Sequence, residues 1–195
     1  MARPRTFSVD DVVFAAKDAF WARGYGGTAI SDLEDCTGLN RSSIYQAFGS
    51  KRELFDLALA AYIDGFVEPL LEPLQRPGSS MSDIEGFFGR LKSVLRTNRM
   101  ASRHGCLWFN SITEVACRSE GVDVRADEYR DRLRAAFANA LKHKRHDGRA
   151  NGHGVQTHAR LLMGTTFGFW LVVRIDRAAA TSLCDATVAE VRTWA

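Results

Sequence analysis

Apolar residues recur every three or four positions through most of the chain, which is the spacing of one face of an α-helix. The first run extends from Val9 to Phe20 and follows Ser8-Val-Asp-Asp11, a sequence that can cap a helix start. Gly24–Gly27 is expected to end this helix, because glycine readily terminates helices. Thr28 is then placed to cap a second helix, which the pattern extends to Gly38 with Ile30, Leu33 and Cys36 facing inward.

A short amphipathic segment, Arg41–Phe48, begins directly after this second helix. The connection is Gly38–Asn40, in which Asn40 is the expected cap. Two short helices joined by a three-residue turn that contains glycine are typical of a helix-turn-helix. Ile44 and Phe48 lie four residues apart and are expected to pack inward. The positions left on the outer side are Arg41, Ser42, Tyr45 and Gln46.

A long fourth helix is predicted from about residue 51, because Ser50-Lys-Arg-Glu53 is a second capping sequence. Pro69, Pro73 and Pro77 are expected to end or kink this helix and to form a linker. Five more helices follow from the pattern, at about 82–99, 106–119, 123–145, 155–176 and 181–194. The sequence therefore predicts an all-α chain with a head of residues 1–55, joined by the fourth helix to a body of residues 56–195.

The composition agrees with a globular protein and excludes a disordered or collagen-like chain, since 46% of the 195 residues are hydrophobic and 25% are charged. The net charge of +3 permits an acidic partner without identifying one. The most apolar run, Leu161–Val173, is shorter than the roughly 20 residues that span a bilayer, so it predicts a buried helix and no membrane partner. Residues 1–20 lack a continuous signal-peptide core, and a cytoplasmic location is expected.

Catalytic and metal-binding motifs are not found in the sequence. It has no HExxH, Walker-type phosphate loop, GxGxxG or GxSxG, so nothing favours an enzyme or a bound cofactor. The cysteines lack the spacing of a zinc site or a disulfide framework. Two sensing alternatives remain open: a metal sensor that uses histidines, such as the pair His143 and His146, and a redox sensor that uses a thiol. The residues concerned are Cys36, Cys106, Cys117, Cys184, His143, His146, His153 and His158.

Residues 28–55, TAISDLEDCTGLNRSSIYQAFGSKRELF, closely resemble the DNA-binding head of the TetR (tetracycline-repressor-like) transcriptional regulators. The features that match are the glycine-bearing break before Thr28, the turn at Gly38, an Ile-Tyr pair in a short helix, and Phe48-Gly-Ser-Lys51 leading into a long helix. The resemblance covers about residues 8–65. It implies a homodimeric nine-helix repressor whose head binds operator DNA and whose body binds a small-molecule effector.

The resemblance and the outer positions of the short helix together predict the DNA contacts. Arg41 can pair with guanine and Gln46 with adenine, whereas Thr28, Tyr45 and Lys51 are expected by similarity to contact phosphates, with simple helix capping as the alternative for Thr28. Residues 1–55 carry seven Lys or Arg and seven Asp or Glu, but residues 39–52 carry three basic residues and no acid. Arg3 and Arg5 are candidates for an arm in an adjacent groove. The predicted DNA-binding residues are Thr28, Arg41, Ser42, Ser43, Tyr45, Gln46 and Lys51.

The body supplies candidates for effector binding and for dimerisation. Aromatic residues at helical spacing fill cores first, so each candidate has a plain core role as its alternative. Glu114 is notable because a carboxylate on an apolar helix needs a partner or a cationic ligand. Gly164 and Gly168 permit close helix approach, and a homodimer is expected through about residues 155–194. The predicted effector-binding residues are Phe66, Phe88, Trp108, Phe109, Glu114, Met163 and Phe167.

Overall fold

The computed structural model describes residues 7–112, 114, 122–142 and 152–194, and its regular structure within these ranges is entirely helical. The all-α prediction is confirmed, and each of the nine predicted helices has a counterpart in the expected order within the described residues. The helices are α1 (Val9–Gly27), α2 (Ile30–Thr37), α3 (Arg41–Phe48), α4 (Lys51–Tyr62), α5 (Glu68–Gln75), α6 (Met81–Thr97), α7 (Arg99–His104), α8 (Leu107–Ser111), α9 (Val122–Leu141), α10 (Gly152–Val172) and α11 (Arg177–Thr193).

Three of the predicted helix starts are confirmed by their capping hydrogen bonds. The side chains of Ser8, Asn40 and Ser50 accept from the backbone N–H groups three residues later. The prediction that Thr28 caps α2 is wrong, because the cap position is Ala29 and the carboxylate of Asp32 accepts from the Ala29 N–H at 2.7 Å. An acidic side chain in the first turn thus takes over the capping role.

The head is held together by a small aromatic and aliphatic core. α1 packs against α2 and α4, and α3 packs against α2 and α4. Phe20 of α1 meets Phe55 of α4 edge-to-face with ring centroids 5.1 Å apart. Leu33 of α2 and Ile44 of α3 have no exposed surface. Cys36, which was expected to face inward, is exposed, so α2 buries a narrower face than the pattern suggested.

A single helical rod carries the chain from the head into the body. α4 continues through one π-helical turn, Ile63–Val67, directly into α5. In this turn the N–H of Glu68 donates to the carbonyl of Ile63, five residues back, just before Pro69, which has no N–H to give. Pro69 and Pro73, which were expected to end or kink the helix together with Pro77, do not end it: the helix continues past both and ends at Gln75, two residues before Pro77.

The segment predicted to be a linker is a turn inside the body. Ser79 is buried and donates its hydroxyl to the carbonyl oxygen of Leu74 at 2.9 Å. The side-chain amide of Asn139 on α9 donates to the carbonyl oxygens of Leu74 and Arg76 and to the Ser79 hydroxyl. These bonds fix the turn between α5 and α6 against α9, which a flexible connection between domains would not permit.

The body is a stack of helices around a second core. α6 packs against α5, α9 and α11, and α10 packs against α9 and α11. Phe87, Phe88 and Phe137 form the aromatic centre of this stack, with the Phe87 and Phe137 centroids 5.2 Å apart. Among the described residues, no helix combines the length and the hydropathy that crossing a bilayer requires.

Candidate nucleic-acid interface

The outer side of α3 is exposed in the way that the sequence pattern predicts. Ile44 has no exposed surface and Phe48 is 7% exposed, so both anchor the helix in the head. We call Arg41, Ser42, Tyr45 and Gln46 the reading face; three of these residues are exposed, and Tyr45 is partly buried. Ser43 is also partly buried, and its N–H donates to the cap Asn40 at 2.9 Å.

Glu34 of α2 accepts hydrogen bonds from both sides of the turn between α2 and α3. Its backbone carbonyl accepts from Gly38, whose φ of +69° places it in the left-handed region that ends α2. Its carboxylate accepts from the N–H of Arg41 at 2.6 Å, where a negative charge is favourable at a helix N-terminus. Sequence reasoning missed Glu34, although an acid seven residues before a helix start was a visible signal.

A groove of about 380 Å³ runs beside the reading face. Phe7 lines it together with Gln46 and Asn40, so the chain just before α1 lies next to α3. The candidate arm residues Arg3 and Arg5 lie outside the described residues. The guanidinium carbon of Arg41 is 5.5 Å from the Tyr45 ring centroid, a cation–π distance that holds the arginine over the helix surface.

Lys51 begins α4 and is supported by an aromatic ring from α1. Its Nζ lies 4.5 Å from the centroid of Tyr25, and the same ring packs 5.0 Å from Phe55. Partial burial lowers the pKa of Lys51, while the nearby carboxylates of Glu114 and Asp32 act in the opposite direction. The ammonium group is therefore held against the head by the Tyr25 ring.

Thr28 is not on the surface. It has no exposed area, and its hydroxyl donates to the carbonyl of Gly24 at 2.6 Å. A side chain without accessible surface has no path to a phosphate in this arrangement, so the predicted DNA contact of Thr28 is replaced by an internal role. The hydroxyl satisfies a carbonyl that the break in α1 leaves without its helical partner.

Glu114 contacts the head. Its two carboxylate oxygens accept from the backbone N–H groups of Tyr25 and Gly26, the first at 2.9 Å. These donors follow Gly24, whose φ of +76° and ψ of 171° interrupt α1. The carboxylate thus has the partner that its position demands, and the expectation that it serves as a polar handle for an effector is corrected.

The other predicted effector residues fall into separate aromatic groups. Phe66 lies between head and body, with centroids 5.7 Å from Trp21 and 6.1 Å from Trp170. Phe167 connects Phe109 at 5.5 Å with Trp108 at 6.5 Å. Met163 is partly buried. Phe88 has no exposed surface and belongs to the core with Phe87 and Phe137, which assigns it a packing role.

The described cysteines differ in their exposure, which bears on the thiol alternative. Cys106 and Cys184 are buried, and burial raises the pKa of each thiol, to about 12 for Cys184. Partial burial also raises the pKa of Cys36. Among the described residues no group of three His, Cys, Asp or Glu side chains could hold a metal ion. Cys117, His143 and His146 lie outside those residues, as does the side chain of His153.

Comparison with known proteins identifies the family. Residues 13–58, which contain α2, α3 and most of α1, match the model of the bacterial regulatory proteins of the tetR family. The HTH-type transcriptional regulator YezE of Bacillus subtilis strain 168 is 29% identical over 159 residues, which are 82% of this chain and 81% of YezE. This chain belongs to the TetR family.

Two further comparisons agree with this membership. The HTH-type transcriptional repressor ComR of Escherichia coli K12 is 38% identical over 115 residues, 58% of this chain and 54% of ComR. The TetR-family regulator CifR, solved as a cysteine mutant in complex with a 26-bp operator DNA, superposes with a TM-score of 0.73 and 23% identity over 96% of this chain and 98% of CifR. The TetR fold therefore extends through the body, and the chain is a DNA-binding transcriptional regulator.

Proposed function

We propose that this TetR-family chain is a repressor that binds a two-fold symmetric operator as a homodimer and releases it when a small molecule binds the body. The observation that carries the proposal is the reading face, which is exposed on a helix anchored by the buried Ile44 and Phe48. The repressor ComR, to which the chain is similar, supports the direction of regulation. The proposed DNA contacts are Arg41, Ser42, Ser43, Tyr45, Gln46 and Lys51.

These residues divide between base reading and phosphate binding. Arg41 and Gln46 are exposed on α3 and have the donors and acceptors that pair with guanine and adenine in the major groove. Lys51 lies at the start of α4, where its ammonium binds a phosphate and fixes the register of the head on the duplex. Ser42 and Ser43 supply shorter polar contacts, and Tyr45 contacts a phosphate through its hydroxyl.

Dimerisation uses an unpaired stripe on α10. Leu161 and Leu171 on α10 are 56% and 52% exposed, and Ile175, three residues after the end of the helix, is 81% exposed. Large apolar side chains that are exposed together mark protein–protein contacts. Gly164 and Gly168 lie on the same side of the helix. A Cβ at Gly168 would lie 3.8 Å from Leu183 of α11 in the same chain, whereas a Cβ at Gly164 would meet nothing within 4 Å, so the open position is Gly164. A helix from a second subunit can approach this open backbone closely, so α10 and α11 form the proposed seam within residues 155–194.

Sedimentation equilibrium tests the seam with two matched charge substitutions. Leu171→Glu places a carboxylate in the stripe and should convert the dimer to monomer, since it buries an unpaired charge. Leu57→Glu places the same charge at a leucine of similar exposure, 47%, on α4 outside the seam, and should leave the dimer intact. Dissociation by both substitutions, or by neither, would argue against residues 155–194 as the interface.

The effector site is proposed beside Trp108, where Phe109, Met163 and Phe167 present partly buried apolar side chains. Phe66 is proposed to carry the signal, because it lies in the π-helical turn that joins α4 to the body and contacts both Trp21 and Trp170. Phe109→Leu and Phe66→Ala should weaken effector-induced release more than they weaken effector-free DNA binding. Phe88→Leu is the control: it should lower stability without changing the response.

The regulatory proposal is tested in three steps. DNA bound from a random pool identifies the operator, and a reporter placed behind that operator measures the direction of regulation. Expression of the chain should lower the reporter signal, and a panel of small molecules screened by fluorescence anisotropy should contain compounds that release the labelled operator. A reporter signal that rises with the chain would make it an activator.

A further inference from the structure

The bond between Glu114 and the head links two parts of the chain 88 and 89 residues apart. Both acceptor oxygens of one carboxylate are used on two successive backbone N–H groups, those of Tyr25 and Gly26. The interruption of α1 at Gly24 is what frees these donors, because a continuous helix would direct them to carbonyls four residues back. The contact therefore requires two features of the chain: the break in α1, which supplies the two N–H donors, and the Glu114 carboxylate, which supplies the two acceptor oxygens.

We propose that Glu114 is a positioning residue for DNA binding, acting through Tyr25 on Lys51. The carboxylate fixes the backbone of Tyr25, and the Tyr25 ring in turn lies 4.5 Å beneath the Lys51 ammonium and packs on Phe55. Ordering a lysine before it meets a phosphate reduces the conformational entropy lost on binding. This inference rests on the proposed contact of Lys51 with DNA.

The glycines at the break show how closely the carboxylate approaches. A Cβ on Gly26 would lie 2.7 Å from Oε1 of Glu114, closer than real Cβ atoms come to a neighbour. Gly26 does not have a positive φ, so alanine is allowed there conformationally, and the flexible end of the Glu114 side chain would be displaced. A Cβ on Gly27 would meet only the Cβ of Arg23, at an ordinary 3.7 Å.

These distances provide a test in which the charge and the contact are separated. Glu114→Ala removes both the charge and the contact, whereas Gly26→Ala keeps the charge and removes the contact. If Glu114 positions Lys51, both substitutions weaken operator binding. If Glu114 acts only as a negative charge near DNA, Glu114→Ala strengthens binding by removing repulsion of the phosphates.

The expected loss follows from the release of counterions by one lysine–phosphate contact. Each phosphate contact contributes a slope of about −0.9 to log affinity against log salt concentration. Between 1 M and 0.1 M salt, one contact therefore raises the affinity by about eightfold, and its loss removes that gain at 0.1 M salt. Glu114→Ala and Gly26→Ala should therefore weaken binding by up to about eightfold at 0.1 M salt and flatten the slope, without changing base preference. Glu114→Gln keeps one carbonyl acceptor, so its operator affinity should lie between that of the two alanine variants and that of the parent. Gly27→Ala should match the parent.

Fluorescence anisotropy on the selected operator, with variants whose circular dichroism matches the parent, gives the decisive comparison. In a Lys51→Ala background, Glu114→Ala should lower the operator affinity by less than about twofold, because Lys51, through which Glu114 acts, is already removed. A full additional loss in that background, an unchanged affinity for Gly26→Ala, or tighter binding by Glu114→Ala overturns the inference. A Lys51→Ala protein with parent affinity and salt slope instead overturns the proposed DNA contact itself.

Discussion

The indole N–H of Trp21 donates to the carbonyl oxygen of Gly105 across 2.9 Å, in a buried bond that joins α1 of the head to the loop between α7 and α8 of the body. The same indole meets the ring of Tyr62 edge-on, with centroids 4.9 Å apart. Tyr62 donates its hydroxyl to Cys106, the residue after Gly105. Head and body are therefore docked through a buried polar contact as well as through the continuous α4 rod.

Replacing Trp21 by Phe should lower the free energy of unfolding by about 1–3 kcal/mol, because the buried Gly105 carbonyl loses its donor. Urea denaturation at one fixed protein concentration measures the change, since the stability of a dimer depends on concentration. Ser102→Ala is the control outside the seam: its hydroxyl donates to the carbonyl of Arg99 in an exposed bond, so a change of about 0.5 kcal/mol or less is expected. Equal effects at the two positions would contradict the docking role of Trp21.

Gly105 should not tolerate alanine. Its φ is +72°, and a Cβ would lie 2.8 Å from the backbone carbonyl oxygen of Trp170, which cannot move aside as a flexible side chain can. We expect Gly105→Ala to cost about 1–3 kcal/mol in the free energy of unfolding. Gly89→Ala, at an open position on the exposed side of α6, should instead be neutral or stabilising by up to about 1 kcal/mol. Thermal unfolding of the Gly105→Ala and Gly89→Ala proteins compares the two changes in stability. A Gly105→Ala protein as stable as the parent would contradict the close approach of Gly105 to the Trp170 carbonyl oxygen.

The head was largely predictable because its signals are local. Ser8, Asn40 and Ser50 cap helices through bonds that span three residues, and the spacing of Ile44 and Phe48 is enough to assign the faces of α3. The prolines predict an end or a kink in the long helix, and the sequence gives no sign of the π-helical turn with which the helix continues to Gln75. That turn redirects the Glu68 N–H to Ile63 and so removes the conflict at Pro69.

The contacts between head and body could not be predicted, since each depends on residues far apart in the chain. Glu114 was expected to serve an effector, and nothing near it in sequence points to Tyr25 or Gly26. The burial of Thr28 has a local cause instead, because its hydroxyl donates to the carbonyl of Gly24, four residues earlier, at the break in α1. Composition and periodicity carry no information on such pairings.

Gln46 should affect one position of the operator. Gln46→Ala is expected to cost about 1–3 kcal/mol against the preferred base there and little against others, because the contact reads a base edge. Lys51→Ala should instead weaken binding to all sequences alike and reduce the salt slope by about one. Anisotropy titrations over a set of single-base operator variants separate the two patterns. A changed base preference for Lys51→Ala would reverse the assignment of roles.

Thiol reactivity should follow the burial of the described cysteines. Thiolates are the reactive form, and the buried Cys106 and Cys184 have raised pKa values, so iodoacetamide should modify exposed Cys36 first in the folded protein. Its rate should increase with pH, because the pKa of Cys36 is also raised and rising pH increases the thiolate fraction. Peptide mass mapping in a Cys117→Ser background follows each site. Rapid modification of Cys106 or Cys184 would favour thiol-based sensing.

The central claim is that two copies of α3, related by two-fold symmetry, read one operator. Two recognition helices on a dimer contact half-sites about one helical turn of DNA apart, roughly 34–36 Å, or a multiple of it. The most direct test is a gel-shift titration with the selected operator and with a duplex of equal length that contains one half-site and a scrambled second half. The account predicts much weaker binding to the single half-site and a complex with two chains on the full site. Equal affinity for both duplexes, with one chain bound to each, would contradict it.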